Sequence, residues 1–192
     1  MFKKVSFLFF LLIVLVSCVE TVVVGTVVGG AIILNDGSIF DLSQDSRIKS
    51  SIVKSLKKDN NDNYKHISVN VFNGRVMLTG YVNNSVYKVK AVNEARAIKE
   101  DVEVLDEIMV LNPNYKLSST SDSFISNQIS LKIKTSKNIK SSNYKYDVVD
   151  GNVFILGVAK DKKEFDEVCD IVRRIKGVNK VITYITFISK QQ

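Results

Sequence analysis

The sequence has no tryptophan, one proline, one histidine and two cysteines in 192 residues. The last two shortages each remove a class of function. The single histidine, His66, has no second His or Cys at ligand spacing, so no zinc site is expected. Two cysteines, Cys18 and Cys169, are too few for the disulfide framework of a small secreted scaffold. Neither a glycine-rich phosphate loop nor a nucleophile elbow is present. Catalysis therefore has no constellation to rest on, and no enzyme activity, cofactor or metal is expected. Acidic residues are the scarcer charge, 20 against 27 basic, which leaves the chain at +7.

What is present is a repeat. Asn70 to Val82 reads NVFNGRVMLTGYV. Val69 and Val71 alternate with polar residues, Asn73-Gly74 turns the chain, and Val76 and Leu78 alternate back. Asn-Gly is the preferred two-residue hairpin loop, because both positions take positive φ. That loop pairs Val71 with Val76 and Val69 with Leu78 and puts all four on one sheet face. Gly80, on the same face, leaves room for another element to approach the backbone. The pattern returns 77 residues on as DVVDGNVFILGVA, from Asp147 to Ala159. Asp150-Gly151 replaces Asn73-Gly74, and Gly157 replaces Gly80. Outside the hairpin, Asp45-Ser46-Arg47-Ile48 maps onto Asp122-Ser123-Phe124-Ile125. Ala91, Val92, Ala95 and Ile98 map onto Val168, Cys169, Val172 and Ile175. A constant offset across three elements marks a duplicated domain.

The first 17 residues have the form of an export signal. Lys3 and Lys4 precede Val5–Val16, an apolar stretch of twelve residues, too short to cross a bilayer as a helix. Leu15-Val16-Ser17-Cys18 resembles the lipobox of bacterial lipoproteins, which implies cleavage before Cys18 and its acylation. Two or three acyl chains anchor stably where one does not. Val19 follows, not Asp. By resemblance to the sorting rule of enteric bacteria, this favours the outer membrane. Cys169 is then the only thiol. Its counterpart is Val92, so it is expected as a small buried hydrophobe. Residues 18–44 form the tether. Val19–Leu34 is rich in valine and glycine, with Gly25 and Gly29 at GxxxG spacing, and Asn35–Gln44 reads as a loop with an Asp36-Gly37 turn signal.

The first domain spans 45–111. Asp45 or Ser46 is placed to cap a helix with the stripe Ile48, Ile52, Val53 and Leu56. Asp59–Asn63 is a polar loop. After the hairpin, Asn83, Asn84 or Ser85 starts a second helix, and Val104–Leu111 is a third strand. Residues 112–121 form a linker with the only proline. The second domain, 122–188, follows the same order. Asp161 and Glu164 have capping-box spacing, and the third strand lies within Val181–Ile188. The expected fold class is α+β: two tandem αββαβ domains, each a three-stranded sheet with two helices on one face.

Two αββαβ units, each with a V-x-L/I-x-G hairpin at Val76–Gly80 and Val153–Gly157, resemble BON domains (named for bacterial OsmY and nodulation proteins). With the lipobox and the glycine-rich tether, the chain resembles the dual BON-domain outer-membrane lipoproteins. The resemblance implies a periplasmic, non-enzymatic protein that binds anionic phospholipid and supports outer-membrane integrity. In some bacteria such proteins gather at division sites.

The first helices of the two repeats differ on one face. In the second repeat Ile125, Ile129 and Ile133 recur every four residues as the core stripe. Phe124 and Leu131, seven apart, share another face. Asn127 and Gln128 lie between them. The first repeat has Arg47 and Lys54 in place of Phe124 and Leu131, and Ser51 in place of Gln128. Exposed apolar side chains on one helix face mark an interaction surface. Lys132, Lys134, Lys137, Lys140 and Lys145 face one acid, Asp122, in residues 122–145. An apolar wedge among lysines suits an anionic membrane interface. The expected phospholipid-binding residues are Phe124, Ile125, Asn127, Gln128, Leu131, Lys132 and Lys134, with Cys18 as the lipidation site. Packing on the first domain, or docking of an envelope or cell-division protein, would use the same patch. Nucleic acid fits the charge but not an exported lipoprotein. Glu100, Asp101, Glu103, Asp106 and Glu107 read as a solvated cluster, with a divalent-ion site as the other option. Val149, Phe154 and Leu156, on the sheet face away from the helices, are apolar like Phe72 and Met77. Their first-repeat counterparts are Phe72, Met77 and Thr79, and these sheet backs are expected to pack against each other or against a neighbouring domain.

Overall fold

The computed structural model describes residues 31–33, 39–58, 62–98, 102–112, 114–115, 117 and 119–188. The signal segment 1–17, Cys18, the GxxxG pair, Glu100 and Asp101 lie outside the described residues. Among the described residues, no helix is long and apolar enough to cross a membrane.

A short ribbon comes first. β1 (Ala31–Ile33) pairs antiparallel with β2 (Ile39–Asp41). Helix α1 (Leu42–Lys57) follows directly. Asn35–Gln44 is therefore not simply a loop. The β-branched residues at 32, 33 and 39 favour strand on both sides of the Asp36-Gly37 signal.

The first domain continues with β3 (Ile67–Phe72), β4 (Arg75–Val82), α2 (Ser85–Arg96) and β5 (Val104–Val110). The second has α3 (Ser119–Thr135), β6 (Tyr144–Val149), β7 (Asn152–Ala159), α4 (Lys162–Arg173) and β8 (Lys180–Phe187). The order is αββαβ twice, and the fold is α+β. Helix α3 begins inside the stretch expected as linker. A one-turn 3-10 helix precedes each hairpin, at Asp62–Tyr64 and Ser141–Asn143.

The hairpins have the expected register: Val71 opposite Val76 and Val69 opposite Leu78. Asn73 and Gly74 take φ of 51° and 72°, and Asp150 and Gly151 take 52° and 72°. Each third strand joins parallel, Val76 opposite Val104 and Val153 opposite Val181, so the 77-residue offset extends to the last strand. What approaches Gly80 is not another element but the entry of its own hairpin. A Cβ there would lie 1.9 Å from the His66 carbonyl oxygen, and one at Gly157 would lie 2.3 Å from that of Asn143.

The expected caps resolve differently at the two helices of each domain. Asn84 caps α2, accepting from the Val86 amide at 2.8 Å. Asp161 caps α4, accepting from the Glu164 amide at 2.8 Å, and Glu164 accepts from the Lys160 amide at 2.8 Å. Asp45, however, is not a cap. It sits in the first turn of α1 and is buried, and its carboxylate accepts from the Asn73 and Gly74 amides, both at 2.8 Å. Asp122 does the same for Asp150 and Gly151, again at 2.8 Å. A carboxylate accepting two amides is the stronger kind of hydrogen bond. It ties the first helix of each domain to the hairpin tip.

Both helices of each domain cover one sheet face. Ile48, Ile52 and Leu56 of α1 and Ala91, Val92 and Ala95 of α2 meet Val69, Val71, Val76 and Leu78. The second core places Ile125, Ile129 and Ile133 of α3 and Val168 and Val172 of α4 against Val148, Val153 and Ile155. Cys169 is a buried thiol, pushed above its usual pKa by burial. Each fully buried Ile or Leu contributes roughly 1.5–3 kcal/mol.

The sheet backs pack on each other. Phe72, Met77, Val149, Phe154, Leu156 and Val158 form one buried layer between the domains. Polar groups close it. The Thr79 hydroxyl donates to Asp147, and the Tyr184 hydroxyl donates to Glu107. Arg75 donates to the Tyr184 carbonyl at 2.7 Å and to Glu103 at 2.6 and 3.1 Å. The acidic cluster is thus not simply solvated. Glu103 pairs with Arg75, Asp106 with Lys88 at 3.3 Å, and Glu107 spans the interface. Tyr115 of the linker donates to Asp150 at 2.7 Å and fastens the connection to the second hairpin.

Candidate functional site

The candidate face lies on α3, and the core stripe decides which side it takes. Ile125, Ile129 and Ile133 point into the second core, so Phe124 and Leu131 point out, 52% and 59% exposed. Asn127, Lys132 and Lys134 are exposed with them, and Gln128 is half-buried. Ile125 is fully buried and belongs to the core, not to the face. A residue one position from Phe124 points about 100° away around the helix.

The lysines after the helix sit in a pinned turn. Ser136 and Asn138 donate to Glu167 of α4 at 2.7 and 3.0 Å. Those bonds hold the Glu167 carboxyl below its usual range. Glu164 accepts from the Lys140 amide at 3.1 Å. Lys137 and Lys140 therefore stay exposed on a segment fixed to α4. Lys145 does not join them. It alternates with Tyr144 and Tyr146, which pack in the helix-covered core, so it projects to the opposite sheet face with Asp147 and Val149.

The model of the BON domain matches residues 44–112 and again residues 121–189. The chain belongs to the BON domain family. It is a dual BON-domain, DolP-like protein. An uncharacterized protein in the gshII 5′ region of Anaplasma centrale is 38% identical over 136 residues, 68% of this chain and 90% of that protein. The outer membrane lipoprotein DolP of Haemophilus influenzae is 27% identical over 188 residues, 97% of this chain and 96% of its own length. A 21 kDa hemolysin of Actinobacillus pleuropneumoniae is 24% identical over 156 residues, 81% and 73% of the two chains.

Within the second BON domain, then, the structure brings Phe124, Asn127, Leu131, Lys132 and Lys134 onto exposed helix surface. Sequence reasoning missed the Asp122 clamp that ties α3 to the second hairpin tip. The signal was there: Asp stands at both 45 and 122, each ahead of an Asn-Gly or Asp-Gly turn. It also missed an exposed apolar pair in the first BON domain, Val86 and Val89 of α2, whose counterparts are Lys163 and Asp166. His66 stacks on Tyr81, ring centroids 4.3 Å apart. Among the described residues, no group of three His, Cys, Asp or Glu side chains could hold a metal ion.

Proposed function

We propose that the protein is a non-enzymatic lipoprotein of the cell envelope, anchored through Cys18 at the periplasmic face of the outer membrane. Its second BON domain binds anionic phospholipid through α3 and so supports outer-membrane integrity. The match to an outer membrane lipoprotein along nearly the whole chain supports the compartment. The observation that carries the lipid reading is the exposure of Phe124 and Leu131 while the neighbouring apolar surface is used elsewhere. The core stripe is inside, and the sheet back is spent on the first domain. Nothing in the fold requires Phe and Leu where the first domain has Arg47 and Lys54.

The magnitudes describe a weak contact. Full burial of Phe and Leu contributes roughly 1.5–3 kcal/mol each, and half-exposed side chains gain about half of that. Each lysine near an anionic surface adds about 1 kcal/mol. An acyl anchor holds the domain at high effective concentration, so weak affinity suffices.

Co-sedimentation with vesicles tests the reading, using residues 19–192 beside the double variant Phe124→Ser, Leu131→Ser. The expected result is binding to anionic but not zwitterionic vesicles, lost in a still-folded variant. Absence of binding at low salt would favour an adaptor that recruits an envelope or cell-division protein through this patch. Binding that survives the double change would move the site to the lysines or to the tether.

A further inference from the structure

The first domain contains a cavity at a place where the second domain carries large side chains. It measures about 340 Å³ and opens between the end of α1 and the start of β3. Val53 and Leu56 of α1, Ile67 and Val69 of β3, and Tyr64 form its apolar wall, and Lys57, Lys65 and Asp62 stand at the rim. The duplication gives an internal control. Ile67 faces Gly80 across the hairpin as Tyr144 faces Gly157, so Ile67 and Val69 correspond to Tyr144 and Tyr146. Both tyrosines pack in the second core. Asp62 is exposed, whereas its counterpart Ile139 is buried. Tyr64 restores one ring where the second domain has Ser141, and it meets Tyr87 edge-on at 5.8 Å. Val53, where the second domain has Ser130, makes up only a small part of the other ring and the isoleucine.

Small-molecule sites are apolar concavities of this size with a few polar groups at the mouth. At ~30 Å³ for a group the size of water, about 340 Å³ is room for about eleven such groups. The rim carries two lysines against one aspartate. Lys65 is paired with Asp62 only loosely, at 3.8 Å and in solvent, so the ammonium can be recruited to a ligand.

We infer that this cavity binds a single aliphatic chain bearing an anionic head, the chemistry of a fatty acid. The chain lies against Val53, Leu56, Ile67 and Val69, and the head meets Lys57 and Lys65. The site is on the first domain and does not depend on the α3 face.

Dodecanoate below its micelle concentration is the probe, titrated calorimetrically into residues 19–192. The comparison is Ile67→Tyr, Val69→Tyr, which installs the residues the same strand carries in the second domain. One saturable site per chain is expected, at least tenfold weaker in the filled variant. Lys57→Gln, Lys65→Gln changes only exposed side chains and keeps the test valid if the filled variant fails to fold. It should erase the preference for dodecanoate over dodecanol. Phe124→Ser, Leu131→Ser should bind dodecanoate unchanged, which separates this site from the membrane face. The filled variant should still sediment with anionic vesicles, which separates a free amphiphile from a bilayer lipid. No saturable binding, equal binding in the filled variant, an unaltered head preference in the lysine variant, or loss in the α3 variant would each overturn the inference.

Discussion

Replacing Phe154 by Asp places a carboxylate in the layer between the two sheets. Phe154 is 3% exposed and packs with Phe72, Met77, Val149, Leu156 and Val158. Loss of a buried phenyl ring costs about 3–5 kcal/mol. An unpaired buried carboxylate would cost several kcal/mol more. The chain has a cheaper response, because the helix-covered core of each domain lies on the other side of its sheet. Parting the sheets hydrates the carboxylate and leaves both cores intact. The expected outcome is a protein with native helix and strand content but uncoupled domains. Urea unfolding followed by tyrosine fluorescence and circular dichroism should change from one transition to two, each with a smaller m-value. The radius of gyration from small-angle scattering should rise. A variant with an unchanged midpoint, m-value and radius of gyration would refute the claim that this layer holds the domains together.

Three further outcomes follow from the geometry. Asp45→Ala and Asp122→Ala each leave two hairpin amides without their charged acceptor. A loss of about 2–4 kcal/mol is expected in the affected domain, with Asn partly restoring it; an unmoved urea midpoint would contradict the clamp. Gly80→Ala should cost more than about 2 kcal/mol, since its Cβ would meet backbone 1.9 Å away at a φ of +100°. Gly74→Ala, with open space around it, should cost only about 1 kcal/mol in thermal melts. Tyr184 is pushed up from 10.0 to about 12, by burial first and then by its bond to Glu107. A raised pKa favours the protonated form in the folded state, so this contribution is complete below pH 10.0 and lost as pH rises through about 12. Glu103, lowered from 4.5 by its bond to Arg75, acts in the opposite sense and loses its contribution as pH falls below 4.5. Stability measured from pH 8 to 12 should fall less steeply in Tyr184→Phe than in the parent.

The hairpins were legible because their information is local. Asn-Gly, Asp-Gly and alternation with period two fix register within a dozen residues. The last strand was less legible: its sequence left the register open by one residue, and the parallel pairs fix it at the shared offset. The sheet-back layer was legible as a surplus of apolar residues on the wrong face. Asp45 was misread because the first turn of a helix invites a capping role, and the amides it serves are 28 and 29 residues away. Ile125 was drawn into the site by its neighbours in sequence, although its helical phase sends it inward. Lys145 was counted with the loop lysines, although strand alternation turns it to the far face.

The contacts across the sheet-back layer have a symmetry of their own. β3 meets β6, its own equivalent, and β3 meets β7 as β4 meets β6. Glu107 touches Tyr184, which is the same position one repeat later. A residue that contacts its own equivalent marks a two-fold axis, as in an isologous dimer. The molecule is therefore arranged as a dimer whose subunits are joined end to end. Joining them released each copy from having to match the other. One carries cations on its first helix and a gap beside its strand, while the other carries Phe124, Leu131 and two tyrosines. A symmetric pair would have to carry every such change twice.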